Sequence, residues 1–380
     1  MNPLMQLHSL GQSVWLDYIQ RDLLRSGTLA RMIRDDGVRG ITSNPTIFEK
    51  AINGSTEYDD AVIKLMENNP RVSSRDVFYS LAIEDIQGAA DLLRPVYEQS
   101  GGRDGMVSLE VSPDLAYDTQ ATIAEARRLH ERVDRPNLMI KVPATREGLP
   151  AVETLISEGI NVNVTLLFSV QRYEAVVDAY MKGLQARVAR GQPVQQIASV
   201  ASFFISRVDA IVDKLLQNRL ELATGEEQEQ IRALLGMTAI ANAKMAYQAY
   251  KNLFTSQRFK PLMAAGAQTQ RLLWASTGTK NPAYSDVLYV DGLVGTDTVN
   301  TMPPTTLEVF KDHGTAAVTI EQDIDQARLT LDMLRDRDID LDGITDQLEH
   351  DGVKLFADSF STLLAAIEKK THTLAGTATA

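Results

Sequence analysis

The chain has 380 residues, carries 38 Lys and Arg against 50 Asp and Glu for a net charge of −12, and contains no cysteine. The length holds one large α/β barrel or two ordinary domains, and the acidic balance argues against nucleic acid or an anionic membrane surface as the main partner, although a local basic pocket could still take a small anion. Disulfides, thiolate nucleophiles and Cys-based metal sites are excluded, and with no apolar run near the ~18 residues of a membrane span and no signal-like pattern over Met1–His8, a soluble cytoplasmic protein is expected.

In chain order, short apolar runs alternate with longer amphipathic segments. The strand candidates are Ser13–Asp17, Val38–Ser43, Met106–Val111, Leu138–Val142, Val162–Leu167, Ile197–Phe204, Leu272–Ser276 and Asp286–Val290. Residues 45–105 are read as holding helices over Tyr58–Glu67 and Ser74–Gln99, the second opened by Ser73 as N-cap with Asp76 in its first turn. Residues 207–265 hold a longer helical excursion that includes the Ala-rich run Met237–Tyr250. Met302-Pro303-Pro304 marks a loop leaving the last strand, helices follow near 321–336 and 351–368, and residues 371–380 read as a disordered tail of Thr, Ala and Gly. No fixed-period repeat and no linker is visible, so residues 1–370 are expected to form a single domain. Eight strands separated by helices predict an α/β fold of the (β/α)8 TIM-barrel type, with extra helices in the long connections and at the C-terminus. The alternative is an open doubly wound sheet, but the Gly-rich turn that such a sheet usually offers a nucleotide is absent.

The run Leu138-Met139-Ile140-Lys141-Val142 places one lysine in a strand that is apolar on both faces. Burial favours a neutral amine over an ammonium, and a neutral amine at a strand end can attack a carbonyl to form an imine. A structural lysine paired with a carboxylate is the plainer reading. The other strand ends bear on that choice. Asp17 closes the first, Thr42-Ser43-Asn44 the second, and Glu110 sits in the third. Asn163 and Thr165 share one face of the fifth, Ser202 and Arg207 close the sixth, and Ser276 and Lys280 close the seventh.

Each has a plain explanation of its own. Asn44 before Pro45 suits a turn, Asp17 a helix cap, Glu110 a counter-ion for Lys141, and Arg207 a surface pair with Asp209 or Asp213. Their coincidence at the catalytic end of a barrel is harder to explain without a ligand, because burying so many polar groups is costly. A lysine nucleophile, a carboxylate and hydroxyl around a water (Glu110 and Thr165), and a second carboxylate for a substrate hydroxyl (Asp17) make up imine-dependent C–C chemistry. Arg207 with Ser276 and Lys280 would suit a phosphate. The imine is its own electron sink, so no metal or cofactor is expected. None of the five histidines lies on a strand end or in an H-x-x-x-H pair.

Three segments carry a family resemblance: Gly40-Ile41-Thr42-Ser43-Asn44-Pro45-Thr46-Ile47-Phe48, Leu138-Met139-Ile140-Lys141-Val142-Pro143-Ala144-Thr145, and Gly159-Ile160-Asn161-Val162-Asn163-Val164-Thr165-Leu166-Leu167-Phe168-Ser169. With these the chain resembles the transaldolases, class I Schiff-base aldolases of the pentose phosphate pathway, from about residue 8 to residue 370. The segment Leu272–Pro282 is similar to the longer bacterial subgroup. The resemblance implies a transferase that moves a dihydroxyacetone unit reversibly from sedoheptulose 7-phosphate or fructose 6-phosphate to glyceraldehyde 3-phosphate or erythrose 4-phosphate. It implies Lys141 as imine former, Asp17 as acid/base on the C4 hydroxyl, and Glu110 acting through a water held by Thr165. It implies Asn44, Asn163 and Ser202, with Thr42 beside them, as ligands of the three-carbon unit, Phe204 beside the imine, and Arg207 on phosphate.

Related fructose-6-phosphate aldolases tend to carry Tyr where Phe204 stands and Gln where Glu110 stands, so transfer is favoured over simple aldol cleavage. One departure is the missing arginine after the seventh strand, where Ser276 and Lys280 are the candidates. An aldolase releasing free dihydroxyacetone, a non-catalytic sugar-phosphate-binding barrel, and a glycosidase using Asp17 and Glu110 are the other readings. Small-molecule sugar phosphates are the expected partners, with no nucleic acid or membrane, and the chain would be a monomer or a homodimer.

Overall fold

The apolar runs pair as parallel strands and close on themselves. The computed structural model describes residues 2–378. Its strands are β1 (Gln12–Asp17), β2 (Val38–Thr42), β3 (Met106–Glu110), β4 (Leu138–Pro143), β5 (Val162–Leu167), β6 (Ser199–Phe204), β7 (Arg271–Ala275) and β8 (Thr298–Met302). They form one closed barrel in sequence order, with β8 returning to β1 through Gln12↔Thr298 to Leu16↔Met302. This is the predicted (β/α)8 barrel, with extra helices in the expected connections. Among the described residues no helix is long and apolar enough to cross a membrane.

The last strand is not where the sequence reading put it. Val287–Val290 is apolar, but Leu288–Gly292 is a helical turn and β8 lies further on. A four-residue apolar run has no period that separates strand from buried helix. The true β8, Thr298-Val299-Asn300-Thr301-Met302, looks polar, yet every residue in it is buried. Its polar groups bond within the barrel: Thr298 Oγ1 accepts from Gln12 Nε2 at 2.9 Å, and Asn300 Oδ1 accepts from Thr277 at 2.9 Å.

Two helical segments also depart from expectation. Pro45–Asn53 is a helix, capped by Asn44, whose side chain accepts from the Ile47 N–H, with Pro45 in the first turn. The C-terminal helix runs from Leu341 to Ala378, through most of the stretch read as a disordered tail; residues 379–380 lie outside the described residues. The tail is held by Lys370, which pairs with Asp59 at 2.6 Å and bonds the Ser55 carbonyl at 2.6 Å. Thr371 and Thr373 return their hydroxyls to carbonyls of the preceding turn.

The floor of the barrel is closed by side chains. Trp15 points inward, and Gly40 on β2 makes room for it: a Cβ there would lie 2.5 Å from the indole. Beneath it Arg271 pairs with Asp104 at 2.9 Å, and Ser13 donates to the same carboxylate at 2.7 Å. Arg271 therefore belongs to the N-terminal end of the barrel and does not line the cavity at the other end.

Candidate active site

The opposite end of the barrel opens into a cavity of about 610 Å³, in the range of about 300–1,000 Å³ usual for small-molecule sites. Lys141, Asp17, Thr42, Asn44, Thr165, Ser202, Phe204, Arg207, Ser276 and Lys280 all line it. Residues scattered over most of the chain are thus brought to one chamber.

Lys141 is buried on β4, paired in register with Glu110 on β3 and Asn163 on β5. Its Nζ donates to Glu110 Oε2 at 3.1 Å and to the Ser43 carbonyl at 3.0 Å. The carboxylate partner foreseen in the plainer reading is therefore present; Lys141 lines the cavity, and Glu110 stands behind it, outside the lining. Burial pushes the Glu110 carboxyl above its ordinary value, with the neighbouring Lys141 charge pulling the other way. Burial likewise raises Asp17, opposed by Lys141 and by the Thr42 hydrogen bond. Thr42 Oγ1 donates to Asp17 Oδ1 at 2.6 Å and lies 2.7 Å from Thr301 Oγ1, so Asp17 is held from one side and open to the cavity on the other.

Glu110 Oε1 and Thr165 Oγ1 are buried with no hydrogen-bond partner among the described residues. Thr165 sits just before Leu166, whose φ of +61° breaks the regular β5–β6 register between Val164 and Leu167. Asn163 does not line the cavity. Its amide donates to Ser108 at 3.0 Å and its oxygen accepts from Ser202 at 2.7 Å, so it sets the orientation of Ser202 from behind. Asn44 spends its oxygen on the helix cap, which leaves its amide nitrogen to offer a ligand.

Arg207 and Lys280 form the outer wall. Asp209 and Asp213, the carboxylates that could have paired with Arg207, are engaged elsewhere. Asp209 accepts from Ala239 N at 2.7 Å and Tyr289 Oη at 2.9 Å, and Asp213 from Gly236 N at 2.9 Å and Tyr284 Oη at 2.7 Å. These bonds tie the loop after β7 to the helix Ser206–Leu220 that carries Arg207. The guanidinium lies 5.2 Å from the Phe204 ring centre, and no carboxylate pairs with it among the described residues. Burial lowers the pKa of both cations, and Arg207 lowers that of Lys280 further. Ser276, in the left-handed region at φ +58°, sits against Ser206 with the hydroxyl oxygens 2.9 Å apart. Two cations on one wall, neither in an ion pair among the described residues, are an arrangement able to take an anion such as a phosphate.

Several lining residues were not anticipated. Thr301 was hidden by the misread β8. Lys50 and Thr46 lie on the unforeseen helix after Asn44, and Phe356 and Ser359 on the C-terminal helix. A helical period in the sequence marks a buried face without saying what it covers, so Phe356 carried no local signal.

Comparison with known proteins agrees with this geometry. The sequence profile described as Transaldolase/Fructose-6-phosphate aldolase matches residues 14–367. A transaldolase of Trichodesmium erythraeum is 48% identical over 379 residues, 98% of each chain. One of Thiobacillus denitrificans is 49% identical over 367 residues, covering 97% of this chain and all of its own, and one of Neisseria gonorrhoeae is 47% identical with the same coverage. A chain matched over residues 14–367 by this profile and over 97–98% of its length by these relatives, with a buried lysine paired to one carboxylate and sharing a cavity with another, belongs to the transaldolase/fructose-6-phosphate aldolase family.

Proposed function

We propose that this protein is a transaldolase in which Lys141 carries a dihydroxyacetone unit between sugar phosphates as an imine. The observation that carries the reading is the Lys141 amine, 3.1 Å from a carboxylate whose pKa is raised by burial, in the same cavity as a second such carboxylate. Glu110 takes a proton from Lys141 and frees the amine to attack the ketose C2. The carbinolamine then loses water as Glu110 returns that proton to the leaving hydroxyl, with the free Glu110 Oε1 and Thr165 Oγ1 placed to hold the departing water. Asp17 receives the C4 hydroxyl proton as the C3–C4 bond breaks, and the electron pair passes into the protonated imine to give an enamine. The first aldose leaves, the second enters, and the steps run in reverse.

Ser202 and Asn44 suit the hydroxyls of the retained three carbons, and Asn163 acts on them through Ser202. Arg207 with Ser276 and Lys280 would hold the phosphate of donor or acceptor. Sedoheptulose 7-phosphate and fructose 6-phosphate are the donors this arrangement fits, with glyceraldehyde 3-phosphate or erythrose 4-phosphate as acceptor. The same chemistry would belong to the cytoplasmic pentose phosphate pathway.

The test is chemical trapping. Borohydride added with fructose 6-phosphate should leave a reduced three-carbon adduct on Lys141, located by peptide mapping. An adduct on another lysine, or none, would overturn the mechanism.

A further inference from the structure

We propose that Phe356, on the C-terminal helix, shields the Lys141 imine from water and so decides whether the three-carbon unit is transferred or released. The proposal rests on the transaldolase reading above. The helix Leu341–Ala378 lies outside the barrel repeat, yet it roofs the catalytic end. Phe356 is 4% exposed, lines the main cavity, and sets its ring centre 5.5 Å from Lys141 Nζ.

The roof is fixed on several sides. Glu349 pairs with Arg172 at 3.0 Å, with both side chains largely buried. Gly352 lies over Leu166, the residue after Thr165, where a Cβ would come within 2.9 Å of the leucine side chain. Ser359 accepts from Thr46 Oγ1 at 3.0 Å, and Phe360 packs edge-on against Phe78 at 5.4 Å. Positions 349, 352, 356, 359 and 360 follow helical spacing and form one face turned to the barrel. Phe356 is therefore held over the amine by contacts on both sides of it along the helix.

The chemistry at stake is a branch point. The enamine left after cleavage can add to a second aldose. Otherwise C3 takes a proton to give the iminium of dihydroxyacetone. Water then adds at C2, the C2–N bond breaks, and free dihydroxyacetone leaves with Lys141 restored as an amine. Transfer also ends with a water at C2, held on the Glu110 and Thr165 side; what the release branch alone needs is solvent that reaches the enamine and delivers a proton to C3. An aromatic face over the nitrogen denies solvent that approach while still tolerating the positive charge of the iminium.

The experiment compares dihydroxyacetone released from fructose 6-phosphate with dihydroxyacetone transferred to an aldose acceptor, in wild type and in Phe356→Ala, Phe356→Gln and Phe356→Leu. The release-to-transfer ratio should rise about tenfold or more in Phe356→Ala and Phe356→Gln and stay near wild type in Phe356→Leu, which keeps an apolar cover. A general loss of fold would depress both branches together and leave the ratio unchanged. If Phe356→Ala does not fold, the Gln variant, closer in size to the native residue, decides. An unchanged ratio in the folded polar variant, with borohydride still trapping the adduct on Lys141, overturns the shielding role. Absence of that adduct in wild type would instead overturn the transaldolase reading beneath it.

Discussion

Replacing Lys141 by methionine separates the chemistry of the lysine from its part in stability. At 3.1 Å the attraction between Lys141 and Glu110 is about 5 kcal/mol at an effective dielectric constant of about 20. The side chains are only 5% and 4% exposed, so solvent screens little of it. Removing one member of such a pair commonly costs about 3–5 kcal/mol, because the other charge is left buried and alone. Glu110 can escape that cost by taking a proton. Burial already holds its folded pKa above the ordinary 4.5, and Lys141 is the main influence opposing the rise.

Without the lysine the pKa goes higher still. The sign follows from linkage: a carboxyl whose folded pKa exceeds its unfolded value gives a fold that is most stable below the unfolded pKa and loses stability as pH rises toward the folded one. Urea unfolding of Lys141→Met should therefore match wild type closely near pH 5 and fall below it by up to about 3–5 kcal/mol near pH 8. The double variant Lys141→Met/Glu110→Gln should lose this extra pH dependence, and neither variant should form an adduct. Equal stability of Lys141→Met and wild type at both pH values, or a pH dependence that survives in the double variant, would refute the argument.

Asp17→Asn should still form the trapped imine with fructose 6-phosphate, while release of the aldose in a single turnover falls by about 10²–10⁴, since only the proton acceptor at the C4 hydroxyl is lost. Arg207→Ala and Lys280→Ala should each raise KM for fructose 6-phosphate by about tenfold or more and leave trapping of unphosphorylated dihydroxyacetone nearly intact; an unchanged KM in the Lys280 variant would remove that residue from the phosphate site.

Much of the catalytic end was legible because a polar residue inside an apolar strand stands out. Lys141 in Leu138–Val142 and Glu110 in Met106–Val111 are anomalies in any window, while the register that sets them side by side comes from the pairing of β3 with β4. β8 failed for the opposite reason. Its Thr298, Asn300 and Thr301 are polar residues that hydrogen-bond side chains of β1, β2 and the loop after β7, so neither burial nor strand character shows locally. Arg207 was ambiguous until Tyr284 and Tyr289 were seen to occupy the aspartates it might have paired with, a contact spanning more than seventy residues. Phe356 lies still further from the residues it covers, and only the path of the last helix brings it over Lys141.

The arrangement of charge at the site explains why two carboxylates serve one lysine. Were Asp17, Glu110 and Lys141 all ionised, this buried cluster of three would itself carry an excess negative charge away from bulk water. Burial opposes that state at both carboxyls, and Asp17 raises Glu110 further. One proton retained on a carboxyl removes the excess at little cost. Imine formation and C–C cleavage each need a proton moved over a short distance and later returned. In the proposed mechanism the 3.1 Å contact between Lys141 and Glu110 is the first such path, and the open side of Asp17 is the second, at the substrate hydroxyl. A single carboxylate would be fully committed to the lysine, with none left to accept the proton that cleavage releases. The second carboxylate is what turns a buried ion pair into an acid–base system.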